Sequence, residues 1–129
     1  MYKVPEDEAR EERIIREAVV DAYTSEERAL GWYYYLDNNI SYASKPILAR
    51  CIRERAVSPL QVGDQVDVLR MAPQEECRCD MFVMIRWGLP DEKQGLGVPL
   101  SQLEVIHGSE SVRQAVEDWR YWVDRGYEF

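Results

Sequence analysis

The chain has 129 residues, 46% of them hydrophobic, which is enough for one domain with a modest core. Asp and Glu total 24 against 16 Lys and Arg, a net charge of -8, which argues against nucleic acid and anionic membranes and favours cations or basic protein patches as partners. No apolar run nears the roughly 20 residues of a membrane span and the opening MYKVPEDEAR has no signal-peptide core, so a cytoplasmic location is expected, with Cys51, Cys77 and Cys79 as free thiols.

Residues 5–22 read as a first helix. Pro5 suits a first turn, and Glu6, Asp7 and Glu8 suit the positive end of the helix dipole. Ile15, Ala18, Val19 and Ala22 recur at helical spacing, and Glu11, Glu12, Arg13 and Glu17 form the opposite, solvated face. Thr24-Ser25-Glu26-Glu27 fits a capping box for a second helix from 25 to about 37, with Ala29, Trp32, Tyr33 and Leu36 on one face. Its core reads GWYYYLDNN, an aromatic run that ends in short oxygen-bearing side chains.

The period changes after Pro46. Gln65 to Met71 alternates as a strand, and the loop 72–79 follows. Met81, Val83, Ile85 and Trp87 alternate as a second strand, Gly88 to Gly97 is turn-rich, and Val98-Pro99-Leu100 is a short third strand. Ser101-Gln102-Leu103 reads as one tight helical turn before a last strand at 104–106. A final helix spans about 110–125, with Val112, Ala115, Val116, Trp119, Trp122 and Val123 inward and Gly126 as its left-handed cap. The expected fold is α+β in a single domain over 1–129: two N-terminal helices at about 5–37, a small SH3-like antiparallel β-barrel at about 60–107, and the C-terminal helix packed back on it.

The chemistry of the chain offers little to an enzyme. His107 is the sole histidine, and no Ser or Cys sits in a strand-turn-helix elbow. Gly95-Leu96-Gly97 lacks the lysine of a phosphate loop. Cys77 and Cys79, with Cys51 and His107, could form a three-Cys, one-His zinc set, but the spacing matches no common zinc module. Asp37, Asn39 and Ser41 carry oxygens at positions one, three and five, as a calcium loop opens, with Asn38 between them. Tyr42 and Leu48 then stand where an EF-hand needs Gly and Glu. Glu75 and Glu76, with Asp80 close behind, are a second group of hard oxygen ligands, and calcium accepts ligands from separate segments. The same residues also read as an ordinary helix C-terminal turn and as solvated loop charge.

Taken together, GWYYYLD, AVSPLQVGDQVDV, MAPQEEC, MFVMIRW, GVPLSQLEVIH and AVEDWRYWVDRGYEF resemble one family, the small acidic calcium-binding proteins of cyanobacteria linked to heterocyst differentiation. The likeness runs in order over residues 5–129, and the stretch from Asn39 to Lys45 departs from the family pattern. The resemblance implies calcium binding without EF-hands, in a cytoplasmic bacterial protein that buffers or senses the ion. It carries Asp37 over as the acid ending the aromatic run, and Glu75 and Glu76 as the acidic loop after MAP. The alternative is a protein-interaction module, in which the barrel or exposed Tyr34, Tyr35 and Tyr121 contact a partner and the acidity only steers it.

Overall fold

A computed structural model describes residues 4–87 and 95–127. Among the described residues, three helices and a five-stranded antiparallel sheet make up the fold. Helix α1 is Glu8–Glu17, α2 is Ser25–Ile40 and α3 is Glu110–Asp124. The strands are β1 Ile47–Cys51, β2 Gln65–Met71, β3 Phe82–Ile85, β4 Leu96–Pro99 and β5 Leu103–His107. Short 3-10 turns sit at Gln74–Glu76 and Leu100–Gln102.

The sheet order is β4-β3-β2-β1-β5. A meander of four strands is followed by a single 3-10 turn, and the last strand returns to pair with the first, which is the strand order of an SH3-like barrel. Ile47 and Ala49 of β1 face Val68 and Val66 of β2, while Ala49 and Cys51 face Val105 and Leu103 of β5. These alternate residues are all buried, and the intervening Arg50 is exposed, as a half-buried sheet requires. β1 was not foreseen and lies before the expected start of the barrel. Its apolar face consists of Ile47, Ala49 and Cys51, a weak alternation over five residues.

α1 is shorter than expected and is turned differently. Asp7 caps it by accepting the Arg10 N–H at 3.0 Å, so Pro5 lies outside the helix. The chain leaves the helix after Glu17 and reverses through Asp21, whose φ is 55°. Ile14 faces the core with Ala18 and Val19, and Ile15 is 53% exposed. Of the expected solvated face Glu12 and Glu17 are exposed, while Arg13 and Glu11 are engaged. Arg13 donates two 2.7 Å bonds to Asp118 of α3, and Glu11 accepts from Tyr121 at 2.5 Å and Tyr127 at 3.0 Å.

α2 begins as the capping box predicts, with the Thr24 hydroxyl accepting the Glu27 N–H at 3.1 Å. Gly31 permits the close approach of α1: a Cβ there would sit 2.2 Å from the Ala18 carbonyl oxygen. Trp32 is the centre of the helical layer, 5.0 Å from Trp119 and 5.6 Å from Trp122, ring to ring. Asp118, fully buried, joins the three helices, since it also accepts from Arg10 at 3.1 Å and from Tyr35 at 2.8 Å. α3 closes in a Schellman motif. Gly126, at φ 80°, donates to the Val123 carbonyl, Tyr127 donates to that of Trp122, and the Trp122 and Tyr127 rings meet at 4.8 Å.

The turn-rich segment from Gly88 lies mainly outside the described residues. Trp87 falls beyond β3 and is 41% exposed, rather than completing the strand's inner face. Among the described residues no helix is long and apolar enough to cross a membrane.

Candidate metal centre

One stripe of α2 faces the loop that follows β2. Tyr33, Asp37 and Ser41 stand four residues apart, so they lie nearly in line along the helix. Tyr33 donates its hydroxyl to the Ala72 carbonyl at 2.8 Å. The Ser41 hydroxyl accepts the Met71 N–H at 2.9 Å. Two consecutive residues at the end of β2 are thus fastened to α2 on either side of Asp37. The next residues, Pro73 to Glu76, fold as a 3-10 turn in which the Glu76 and Cys77 N–H groups donate to Pro73 and Gln74. This turn carries Glu75 and Glu76, both exposed.

The acids of the two segments act on the same neighbours. Burial, then the negative charges of Asp37, Cys77 and Glu75, push the Tyr33 phenol up from 10.0 to about 12. Burial is also the main cause that raises the Cys77 thiol. A hydrogen bond from Phe82 opposes it, and the charges of Glu76, Asp80 and Asp37 add to it. Asp37 therefore shares its surroundings with Glu75 at one neighbour and with Glu76 at the other. Concentrated negative charge of this kind is what a bound cation relieves.

The end of α2 departs from expectation. The helix runs to Ile40, so Asp37, Asn38 and Asn39 belong to its last turn rather than to a segment beyond it. Asn38 and Asn39 lie about 100° and 200° round the helix from Asp37. Helical geometry thereby undoes the one-three-five calcium-loop pattern. Ser41, one turn on, donates to the Asp37 carboxylate at 2.5 Å, while the Asn39 amide folds back on the Tyr35 carbonyl at 2.8 Å. Asp80 stands near Cys77, but its carboxylate meets Arg55 at 3.3 Å and the Met81 N–H at 2.8 Å. Asp37, Glu76 and Asp80 all act on Cys77, and Asp37 and Glu75 on Tyr33, while Asn38 is exposed and Asn39 is turned to its own helix.

Among the described residues no three Asp, Glu, His or Cys side chains are gathered closely enough to hold an ion as they stand. The donor set nonetheless suits a hard cation. It is all oxygen, it comes from separate segments, and its two glutamates are long, exposed side chains free to swing inward. The soft alternative is scattered. Cys51 is buried on β1 with its thiol toward the Arg53 carbonyl, His107 is on the exposed end of β5, and Cys77 is buried while Cys79 is exposed. Residues 77–79 bend out of the 3-10 turn instead of extending, which removes the basis for both thiols facing one way.

The aromatic residues considered for partner contact also sort differently. Tyr35 is bound to Asp118 and Tyr121 is buried, so of the three only Tyr34 is exposed. The sequence pattern offers Ser41 only as the fifth position of a calcium loop. Its i, i+4 spacing from Asp37 is the signal that identifies it as the residue holding the carboxylate.

A family model described as calcium binding, of the CcbP type, matches residues 12–123. The crystal structure of Anabaena CcbP is 38% identical, covers 100% of both chains and superimposes with a TM-score of 0.81. A calcium binding protein in the calcium-binding form is 37% identical, again over 100% of both chains, with a TM-score of 0.79. No curated protein matches the chain. This chain belongs to the CcbP family of calcium-binding proteins.

Proposed function

We propose that this protein takes up calcium between the Tyr33–Asp37–Ser41 stripe of α2 and the acidic turn at Glu75 and Glu76, as a non-enzymatic, cytoplasmic calcium buffer or sensor built on a single domain. The observation that carries the reading is the pair of bonds by which Tyr33 and Ser41 hold Ala72 and Met71 on either side of Asp37, which sets the turn of Glu75 and Glu76 beside this stripe of α2. Asp37 acts with Glu75 on Tyr33 and with Glu76 on Cys77. Family membership supports the choice of ion. Asp37 is the fixed ligand, because Ser41 and the end of β2 hold it in place. Glu75 and Glu76 are the mobile ligands that close on the ion. Asp80 adds charge from behind its contact with Arg55, while Asn38 and Asn39, turned further round the helix, stand outside this set.

Ligands drawn from two segments suit calcium, which tolerates irregular geometry at about 2.3–2.6 Å. Magnesium demands near-octahedral ligands at about 2.0–2.1 Å and sheds water reluctantly. Titration calorimetry on metal-stripped protein tests the reading. Calcium gives a saturable heat and raises the melting temperature, and the same concentration of magnesium does so far less. Equal responses to the two ions, or none to either, overturn it.

A further inference from the structure

Beside the acidic turn a groove of about 620 Å³ opens between α2 and the loop after β2. Glu26, Ala29, Leu30 and Tyr33 line it from the helix, and Gln74, Glu75, Cys77, Arg78 and Cys79 line it from the loop. These helix residues span two turns, about 10 Å. Ala29, Leu30, Tyr33 and Cys77 make the floor apolar, and one acid stands on each side, Glu26 from the helix and Glu75 from the loop. Arg78 is the one cation among the lining residues. Leu30 is 40% exposed, and Tyr34, one turn further along α2, is 55% exposed, so apolar surface continues out of the groove.

We propose that this groove docks a basic amphipathic segment of a partner protein, with one or two large apolar side chains on the floor and Lys or Arg flanking them against Glu26 and Glu75. The charge arrangement selects this occupant. An acidic segment meets like charge at Glu26 and Glu75 with Arg78 alone to match it, and a purely apolar one leaves both carboxylates unmatched. The volume lies within the range of sites that hold a few side chains, and apolar anchors spaced along two helical turns are the usual reading of a helix-in-groove contact. The field of a -8 protein speeds the approach of such a segment.

Glu75 is also one of the acids assigned to calcium above, so the test runs in chelator and its outcome does not depend on that assignment. A labelled helical peptide made only of Lys and Leu is titrated at physiological salt and followed by fluorescence anisotropy. It binds, and it loses at least about tenfold in affinity when its Leu residues become Ser. Leu30→Arg, on an exposed helix position, weakens it by at least about tenfold, and Glu75→Lys, in an exposed turn, does likewise. Val62→Arg, a similarly exposed site outside the groove, changes it less than about twofold. The proposal falls if the Lys–Leu peptide does not bind, if the Lys–Ser or a Glu–Leu peptide binds as tightly, or if Val62→Arg weakens binding as much as the groove variants do.

Discussion

Ser41 lies one helical turn beyond Asp37, and its hydroxyl makes two bonds at once, donating to the Asp37 carboxylate at 2.5 Å and accepting the Met71 N–H at 2.9 Å. A helix side chain and a strand backbone are coupled through one oxygen. The carboxylate is thereby held in one orientation, which would lower the ordering cost of binding an ion at Asp37. The same contact fixes where β2 ends and where the acidic turn begins.

Asp37→Asn keeps the shape and can still accept the Ser41 hydroxyl, but it removes a charge. Calcium affinity falls at least about tenfold, or about 1.4 kcal/mol, in calorimetric titration. Glu12→Gln, on an exposed position of α1, is the charge control and changes affinity by less than about threefold. Glu11 cannot serve, because Tyr121 and Tyr127 both donate to it. Equal losses in the two variants mean that the diffuse field holds the ion and that no site exists at Asp37.

Asp118 is buried without solvent contact and accepts from Arg10, Arg13 and Tyr35. Asp118→Ala removes the buried carboxylate that Arg10 and Arg13 share and leaves them, as ion-pair partners, only the more exposed Asp7, Glu117 and Glu17. It lowers unfolding free energy by about 3–5 kcal/mol in urea titration. Calcium affinity of the folded fraction stays near that of the parent, since Asp118 lies away from the acidic turn. A loss below about 1 kcal/mol contradicts the role given to this carboxylate.

Tyr33 and Tyr35 are both pushed up from 10.0 to about 12, first by burial and then by different acids: Asp37 and Glu75 act on Tyr33, and Asp118 acts on Tyr35. The folded state favours the neutral phenols. Their contribution to stability is complete below about pH 10 and is lost as pH rises towards 12. Calcium cancels the charges near Tyr33, so phenolate absorbance shows the Tyr33 transition moving down when the ion binds, with Tyr33→Phe as the subtraction. A transition that calcium leaves unmoved separates the ion from Asp37 and Glu75.

Gly31→Ala sets two effects against each other. Alanine in a helix interior normally gains roughly 1 kcal/mol over glycine. Here the new Cβ meets the Ala18 carbonyl oxygen at 2.2 Å, and backbone on both sides must move. Net destabilisation of about 1–3 kcal/mol is expected from the urea midpoint. A midpoint that holds or rises shows that α1 and α2 are not in contact at this glycine.

The elements with strong local signals were legible in the sequence. The capping box placed the start of α2, the alternation of Gln65–Met71 placed β2, and Gly126 marked the end of α3. α1 was misphased because Ile14 and Ile15 are adjacent and equally apolar, and either can begin a helical stripe that continues through Ala18 and Val19. The choice between them is made by Asp118, more than a hundred residues away, which draws Arg10 and Arg13 inward. At the site, candidate acids could be named from residue type, but the turning of Asn38 and Asn39 away from Asp37 could not be foreseen, because α2 runs one turn further than the aromatic segment suggests. The fastening of Met71 and Ala72 by Ser41 and Tyr33 is a long-range contact that no local pattern announces.

The pairing of β1 with β5, in the register Ala49 to Val105, bears on the order in which the chain can fold. During synthesis α2, β2 and the acidic turn leave the ribosome well before β5 and α3. The β2–β3 and β3–β4 pairings are local and form early, whereas β1 must wait for nearly the whole chain before its second neighbour exists. Until then the outer edge of Ile47–Cys51 is an unpaired strand edge with an apolar face, the kind of surface through which nascent chains associate wrongly. The segment that carries the candidate acids is therefore made first, and β5 completes the sheet's protection rather than that segment.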